Sequence, residues 1–300
     1  MNKLSSKSKN IQRLILGWIF ILPALFFIIY ASVFPAISNF ILSFQKWDGF
    51  LAKKWVWFEN YIQFFKDGDV LRYLYNSVYL SFLSTLGAVL IGLFFAALVF
   101  KIGSKLGSFA RLVFFIPGMI PVAINGLLFV FILNPQMGLL NNFLKLIGLS
   151  SYNNAWLEDS RTAMNCIVVV NIWMMCGITM VLSYAAIRML PASLFESCKI
   201  DGGGYIRQLF SIVFPIIKNV IGTAAIYTLA ANFKTYGIVQ VMTQGGPGDI
   251  TRTIPINMIN TAFNFGEFGY AASMGVVLSL VVVVSILVTT KFFGGDIYEF

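Results

Sequence analysis

Six stretches of this chain stay apolar for roughly the 20 residues that an α-helix needs to cross about 30 Å of hydrocarbon, and no other feature narrows the possible folds as far. They fall at about 14–37, 74–100, 111–133, 161–187, 216–240 and 268–290. The expected fold is an all-α polytopic membrane protein of six transmembrane helices, forming one domain over residues 1–300. Composition agrees: 58% of the residues are hydrophobic and 11% charged, against about 25% charged in ordinary soluble domains. The length is consumed by helices, with none left for a large aqueous domain.

The net charge of +9 does not describe a nucleic-acid surface, because the basic residues sit at the ends of apolar stretches and form no basic face. They read as topology. An even number of spans returns both termini to one side of the bilayer. The N-terminus, 101–111 and 188–218 carry Lys3, Lys7, Lys9, Arg13, Lys101, Lys105, Arg111, Arg188, Lys199, Arg207 and Lys218 against only Glu196 and Asp201. That side, with both termini, is expected to be cytoplasmic. The loops 45–73 and 134–160 mix signs, Lys46, Lys53 and Lys54 being offset by Asp48, Glu59, Asp67 and Asp69, and are expected outside. The first apolar run has a basic flank like a secretion signal, but no small-residue cleavage pattern follows, so a retained first helix is expected. Cys166, Cys176 and Cys198 show no disulfide or metal-type spacing. Residues 138–149 have helical apolar spacing yet are too short to span; a helix lying at the outer surface and an ordinary packed loop helix fit equally well.

The longest cytoplasmic loop runs from Arg188 to Lys218. Ser193 followed by Glu196 has the spacing of a capping box, so a short helix is expected to begin near Leu194. It is expected to stop where Gly202, Gly203 and Gly204 permit the left-handed geometry that closes helices. A second helical piece then reaches about Phe214, with Pro215 at the entry to the fifth span. Leu194, Phe195 and Cys198 form the apolar side of the short helix, which could seat in a partner's groove or rest on lipid headgroups.

These residues carry a resemblance. Glu196-Ser197-Cys198, then Gly202 after three intervening residues and Ile212-Val213-Phe214-Pro215 after nine more resemble the EAA loop of binding-protein-dependent importer permeases, and Asp201-Gly202 fits its core. Thr243-Gln244-Gly245-Gly246-Pro247, followed by Phe268-Gly269-Tyr270-Ala271-Ala272, is similar to the larger permease of maltose- and glycerol-phosphate-type importers. The matches cover more than half the chain. Ser197 and Cys198 replace the two alanines of the motif and Gly203 another, all small residues that keep a close approach open. The outer loop between the first two spans is short, without the large inserted domain of the enteric maltose permease.

The resemblance implies a type I ABC importer permease fold in a bacterial cytoplasmic membrane. It implies as partners a second related permease, an ATPase dimer and an external solute-binding protein, with a saccharide as cargo. ATP and Mg²⁺ would reside on the ATPase; no G-x-x-x-x-G-K-[ST] phosphate loop occurs here, no cofactor is expected on this chain and no enzymatic activity. Ser193, Glu196, Ser197, Cys198, Asp201, Gly202 and Gly203 are the expected ATPase-coupling residues, Glu196 serving as a cap alone or as cap and contact. Gly245, Gly246 and Pro247 form the outer-loop motif.

Polar groups at membrane depth face a cavity or the bundle interior. Thr228, Asn232 and Thr235 share one face of the fifth span by spacing, as Asn171, Met174, Met175 and Ile178 do in the fourth. Amides and hydroxyls beside soft apolar groups suit hydroxyl-rich ligands, and the resemblance puts these seven positions at the maltose permease's sugar site. The other reading is interhelical hydrogen bonding. The third span adds Gly118 and Asn125, with Pro117 and Pro121 expected to kink it. Lys234 is the one charge expected well inside a span, snorkelling outward or meeting a second permease; Trp173, beside Asn171, is the one ring that stands near this path. A secondary transporter normally carries ionisable groups along its path, and an embedded enzyme needs clustered His, Asp or Glu; the chain has no His. Neither class fits.

Overall fold

The computed structural model of the protein describes residues 16–102 and 104–294. Lys3, Lys7, Lys9, Arg13 and the first two residues of the first expected span lie outside the described residues. Taken in chain order, α1 is Leu16–Leu42, widening to π-helical turns over Ile29–Val33. A short antiparallel ribbon pairs β1 (Gln45–Lys46) with β2 (Lys54–Trp55), Gln45 opposite Trp55. Then come α2 (Glu59–Lys66), α3 (Gly68–Ile102), α4 (Ser104–Met119), α5 (Val122–Ile132), α6 (Leu139–Leu146), α7 (Ala163–Met189) and α8 (Ala192–Ile200). After them follow α9 (Tyr205–Ile216), α10 (Lys218–Phe233), α11 (Gly237–Met242), α12 (Ile254–Ile259) and α13 (Phe268–Phe293). Among the described residues α1, α3, α7 and α13 are long and apolar enough to cross a membrane unbroken; the bent pairs α4–α5 and α9–α10 raise the count to six if each is one span.

Both bends have a backbone cause. Pro121 is extended (φ −52°, ψ 135°) and flanks α5. It has no N–H to give to the preceding turn, and it drives Ile120 out of helical geometry. The expected kink of the third span is therefore a full break of 97°. In the fifth segment the ring of Pro215 would strike the carbonyl of Ser211 in a regular α-helix. Leu209–Val213 is π-helical, which widens that turn, and the axis then bends by 71° at Ile217.

The fifth segment also ends sooner than expected. Its helix stops at Phe233, and Lys234 is the exposed residue that closes it, not a charge deep in a span. Apolar residues resume in α11, so hydropathy runs on through a reversal of the backbone. Residues 138–149 form the short helix α6, with Phe143 and Leu146 exposed. Its buried Asn141 holds the next loop: Nδ2 donates to the carbonyls of Pro135 (3.1 Å) and Asn154 (3.0 Å), and Oδ1 accepts from Trp156 Nε1 at 2.8 Å.

Contacts divide the chain into two compact units, one of residues up to 66 with 261–276, the other of 67–260 with those from 277 onward. In the first, Asn60 Nδ2 donates to the carbonyls of Ser43 (2.8 Å) and Gln45 (3.0 Å), and the Phe268 N–H donates to the Trp47 carbonyl (3.0 Å). A β-carbon at Gly269 would lie 1.8 Å from the Gln45 carbonyl oxygen, so only glycine fits there. In the second, small residues let α3, α4 and α7 approach closely, as is usual inside membranes. A β-carbon at Gly177 would meet the Phe114 carbonyl oxygen at 2.3 Å. Thr179 Oγ1 donates to the Ala88 carbonyl at 2.7 Å, joining α7 to α3.

Candidate functional site

The loop between α7 and α10 begins a residue or two before its expected start. Pro191 (φ −58°, ψ 137°) flanks α8, and no side chain caps the helix. The capping box is therefore absent: a proline, with φ preset and no N–H to satisfy, starts the helix, which puts Ser193 and Glu196 inside it. The end is as expected. Gly202 has φ +76°; its N–H donates to the Lys199 carbonyl (3.0 Å) and that of Gly203 to the Cys198 carbonyl (2.7 Å). These two bonds make a Schellman closure.

The apolar side of α8 is already occupied by the chain itself. Phe195 packs on Phe100 with ring centroids 5.5 Å apart, and Cys198 is buried beside Gly203, where a β-carbon would lie 2.3 Å from the thiol sulfur. The Tyr205 hydroxyl donates to the Ala97 carbonyl. This face is thus covered in part by the chain itself, Leu194 and Phe195 staying half-buried. Glu196, Ser197, Ile200, Asp201 and Gly202 are exposed on the opposite side together with Ser193.

Of the expected path residues, Met174 belongs to an apolar cluster with Ile167 and Ile238; a second cluster of the same unit gathers around Met180, Val213 and Ile217. Asn171, Thr228 and Asn232 are buried, while Met175 and Ile178 are half-buried. Asn232 Nδ2 donates to Thr85 Oγ1 at 3.1 Å, bridging α10 and α3. Thr228 turns back on its own helix, donating to the carbonyls of Ala224 (2.9 Å) and Ala225 (3.1 Å). Thr235 lies past the end of α10 and does not continue that face; its hydroxyl reaches the Ala231 carbonyl at 3.5 Å. Gly118 is exposed, with the Met174 carbonyl oxygen 2.9 Å from where its β-carbon would stand. Asn125 braces the broken span: Nδ2 donates to the carbonyls of Pro117 (3.0 Å) and Ile120 (3.2 Å), two groups released by the break. Trp173 meets Phe129 edge-on at 5.2 Å.

Four buried polar atoms among these residues and α3 have no hydrogen-bond partner: Asn125 Oδ1, Asn171 Nδ2, Asn232 Oδ1 and Ser84 Oγ. Such atoms are rare in folded proteins and ask for a reason. Every buried polar side chain among the described residues is Ser, Thr, Asn or Gln. The contribution of α3 was not foreseen, although Ser77, Ser81 and Thr85 recur every four residues, which places them on one helical face.

The outer-loop motif is stitched into one body with α3. Thr251 Oγ1 donates to the Gly246 carbonyl (2.7 Å) and lies 2.7 Å from Thr243 Oγ1. Asn76 Nδ2 donates to the carbonyls of Ile250 (2.9 Å) and Arg252 (2.8 Å), and Arg252 pairs with Asp249 at 2.8 Å. Gly246 and Pro247, with Asn134, Leu157 and Glu158, line a cavity of about 320 Å³. Nearby, the N–H of Arg161, the Asn154 amide and the Arg161 side chain hold the Asp159 carboxyl down at about 2.

An α-helical chain with broken spans, a Schellman-closed loop helix before one of them and an uncharged buried polar belt defines a class of membrane permease. Residues 88–293 match the family described as the binding-protein-dependent transport system inner membrane component, and the chain belongs to that family. It is a permease subunit of a binding-protein-dependent ABC importer, a multi-pass inner-membrane protein with no catalytic role and no cofactor of its own; ATPase and binding protein are its partners. The Probable ABC transporter permease protein YurN of Bacillus subtilis is 33% identical over 94% of this chain and 97% of its own length. The diacetylchitobiose uptake system permease protein NgcF of Streptomyces coelicolor is 34% identical over 87% of this chain and 77% of its own. In fold the chain is similar to a chain of a bacterial ABC transporter involved in the import of the acidic polysaccharide alginate, with a TM-score of 0.83, 21% identity and coverage of 96% and 98%.

Proposed function

We propose that this subunit forms half of the translocation path for a neutral saccharide, opposite a second related permease, with both termini and the Ala192–Ile200 helix on the cytoplasmic side. The exposed face of that helix, Ser193, Glu196, Ser197, Asp201 and Gly202, contacts one ATPase of a dimer. Closure of the dimer then tilts the helices from inward-open to outward-open as packed bodies. Cys198 and Gly203 act from behind, by holding the helix to its own chain.

One observation carries the cargo reading. Asn171 Nδ2 and Asn232 Oδ1 are buried without partners in a belt of side chains that bear no charge, flanked by Met174, Met175 and Ile178. When the helices part, an amide donor and an amide acceptor become free to pair with sugar hydroxyls while the apolar groups take up the ring faces. A phosphorylated cargo such as glycerol phosphate would call for Arg or Lys there. The 34% identical NgcF belongs to a diacetylchitobiose uptake system, which supports a saccharide.

The test is ATP hydrolysis by the importer reconstituted with its second permease and ATPase, with binding protein loaded with candidate saccharides or with glycerol phosphate. Saccharide-loaded binding protein stimulates hydrolysis and drives uptake, and Asn171→Ala and Asn232→Ala weaken uptake while leaving basal hydrolysis in place. Stimulation by glycerol phosphate alone, or uptake indifferent to both substitutions, would overturn the reading.

A further inference from the structure

At the end of α3, α4 and α7 from which the Ala192–Ile200 loop departs, there is a cavity of about 550 Å³ whose lining includes Phe100, Ser108, Arg111, Tyr184, Arg188 and Met189. It is separate from the buried polar belt and from the exposed face of the loop helix. Its two charges are both guanidinium groups, and the ion pairs among the described residues, Arg72–Asp69, Arg161–Asp159 and Arg252–Asp249, involve neither of them.

Arg111 is held in place for a ligand. Its Nη2 donates to Ser108 Oγ at 2.8 Å and its Nε to the Gly107 carbonyl at 3.3 Å, and its guanidinium carbon lies 4.5 Å from the centre of the Tyr184 ring. A guanidinium has five N–H donors, so three remain open. Tyr184 and Arg188 stand one turn apart on α7 and share a face, and Arg188 lines the same cavity as Arg111. A fork of planar donors matches the paired oxygens of a carboxylate or a phosphate. The surroundings are apolar and uncovered: Phe109 is 63% exposed, Leu112 56% and Met189 84%. A cationic cavity bordered by greasy side chains, at the end of membrane-spanning helices, has the chemistry of an amphiphile's site. Basic pockets between such helices bind anionic lipid headgroups.

We propose that this cavity binds the phosphate of an anionic phospholipid, the headgroup lying between Arg111 and Arg188 and the acyl chains running over Leu112 and Phe109. The inference does not depend on which cargo the importer carries. The experiment uses the assembled importer in native mass spectrometry, offered phosphatidylglycerol, phosphatidylcholine or inorganic phosphate at matched ionic strength. Phosphatidylglycerol is retained in preference to phosphatidylcholine. Its binding falls about fivefold in Arg111→Gln or Arg188→Gln and roughly thirtyfold in the double variant, while Arg188→Lys keeps most of it. Arg188 is exposed, so its variants test the site even where Arg111→Gln disturbs packing against Tyr184. Equal retention of the two lipids, unchanged phosphatidylglycerol binding in Arg188→Gln, or displacement of the lipid by inorganic phosphate, which would mark a site for a soluble anion, overturns the proposal.

Discussion

Gly202, Gly203 and Gly204 stand in a row, and the geometry assigns a different penalty to a methyl group at each. At Gly202 no atom lies within 4 Å of the new β-carbon, but φ is +76°; the cost is backbone strain alone, about 1–2 kcal/mol for an L-residue in left-handed geometry. At Gly203 the β-carbon would lie 2.3 Å from Cys198 Sγ and 2.8 Å from the Cys198 carbonyl oxygen. The sulfur is buried and the carbonyl is fixed by the hydrogen bond it accepts, so the closing turn itself must move, for about 1–3 kcal/mol of overpacking. At Gly204 the backbone is extended (φ −70°, ψ 173°) and the space empty; alanine there changes stability by no more than about 0.5 kcal/mol. Hydrogen exchange at the amides of residues 202 and 203, measured in the assembled importer, reads the closing turn directly. Protection falls roughly 5- to 30-fold for a loss of one or two kcal/mol in Gly202→Ala, at least as far in Gly203→Ala, and stays unchanged in Gly204→Ala. Adding Cys198→Ala to Gly203→Ala restores part of the loss, because one of its two clashes disappears. Equal effects at all three glycines, or no rescue by Cys198→Ala, would refute the reasoning.

Glu196→Ala leaves thermal stability within about 0.5 kcal/mol, since the residue caps nothing, but lowers binding-protein-stimulated ATP hydrolysis; a variant with normal stimulation removes Glu196 from the ATPase contact. Asn125→Leu strips the carbonyls of Pro117 and Ile120 of a donor and lowers stability by about 1–3 kcal/mol, seen as a reduced melting temperature; an unchanged melt shows that the break needs no brace. The Asp159 carboxyl, depressed from 3.8 to about 2, supplies stability that is complete above 3.8 and lost as the pH falls toward 2. Trp156 fluorescence should therefore change in that window, and Asp159→Asn should remove the dependence.

How much of this was legible in the sequence depends on whether a residue's role is set by its own backbone or by a neighbour. Gly202 closes the loop helix because left-handed geometry is a property of glycine itself, and the stop was readable. The start was not, because Pro191 and the Ser193–Glu196 pair are rival signals beginning two residues apart and the spacing rule has no way to rank them. Asn125 was read as lining a path on the strength of its depth alone. That its amide turns toward carbonyls released by Pro121 depends on the size of the bend, which no pattern of hydropathy records. The same blindness carried the fifth span through Lys234 to residue 240, since a chain reversal between two apolar pieces leaves no trace in their polarity. For Asn171 and Asn232 the burial was legible, whereas the hydroxyl of Thr85 facing Asn232 lies 147 positions away.

The two broken spans bear on how the protein enters the bilayer. Val122–Ile132 has 11 residues and Lys218–Phe233 has 16, so at 1.5 Å per residue they rise only about 17 and 24 Å, short of the hydrocarbon thickness. Neither half can be handed to lipid alone with its end groups unbonded. The uninterrupted helices Gly68–Ile102 and Ala163–Met189 are self-sufficient guests of the membrane from the moment they are made. The broken ones need hosts: Val122–Ile132 settles only once its own Asn125 has taken up the loose carbonyls, and Lys218–Phe233 only once Thr85 of a helix synthesised long before is there to receive Asn232. Insertion in the order of synthesis therefore depends on partners already in place, and a lesion at Asn125 or Thr85 should appear first as nascent chain degraded during biogenesis, before any defect in transport is measured.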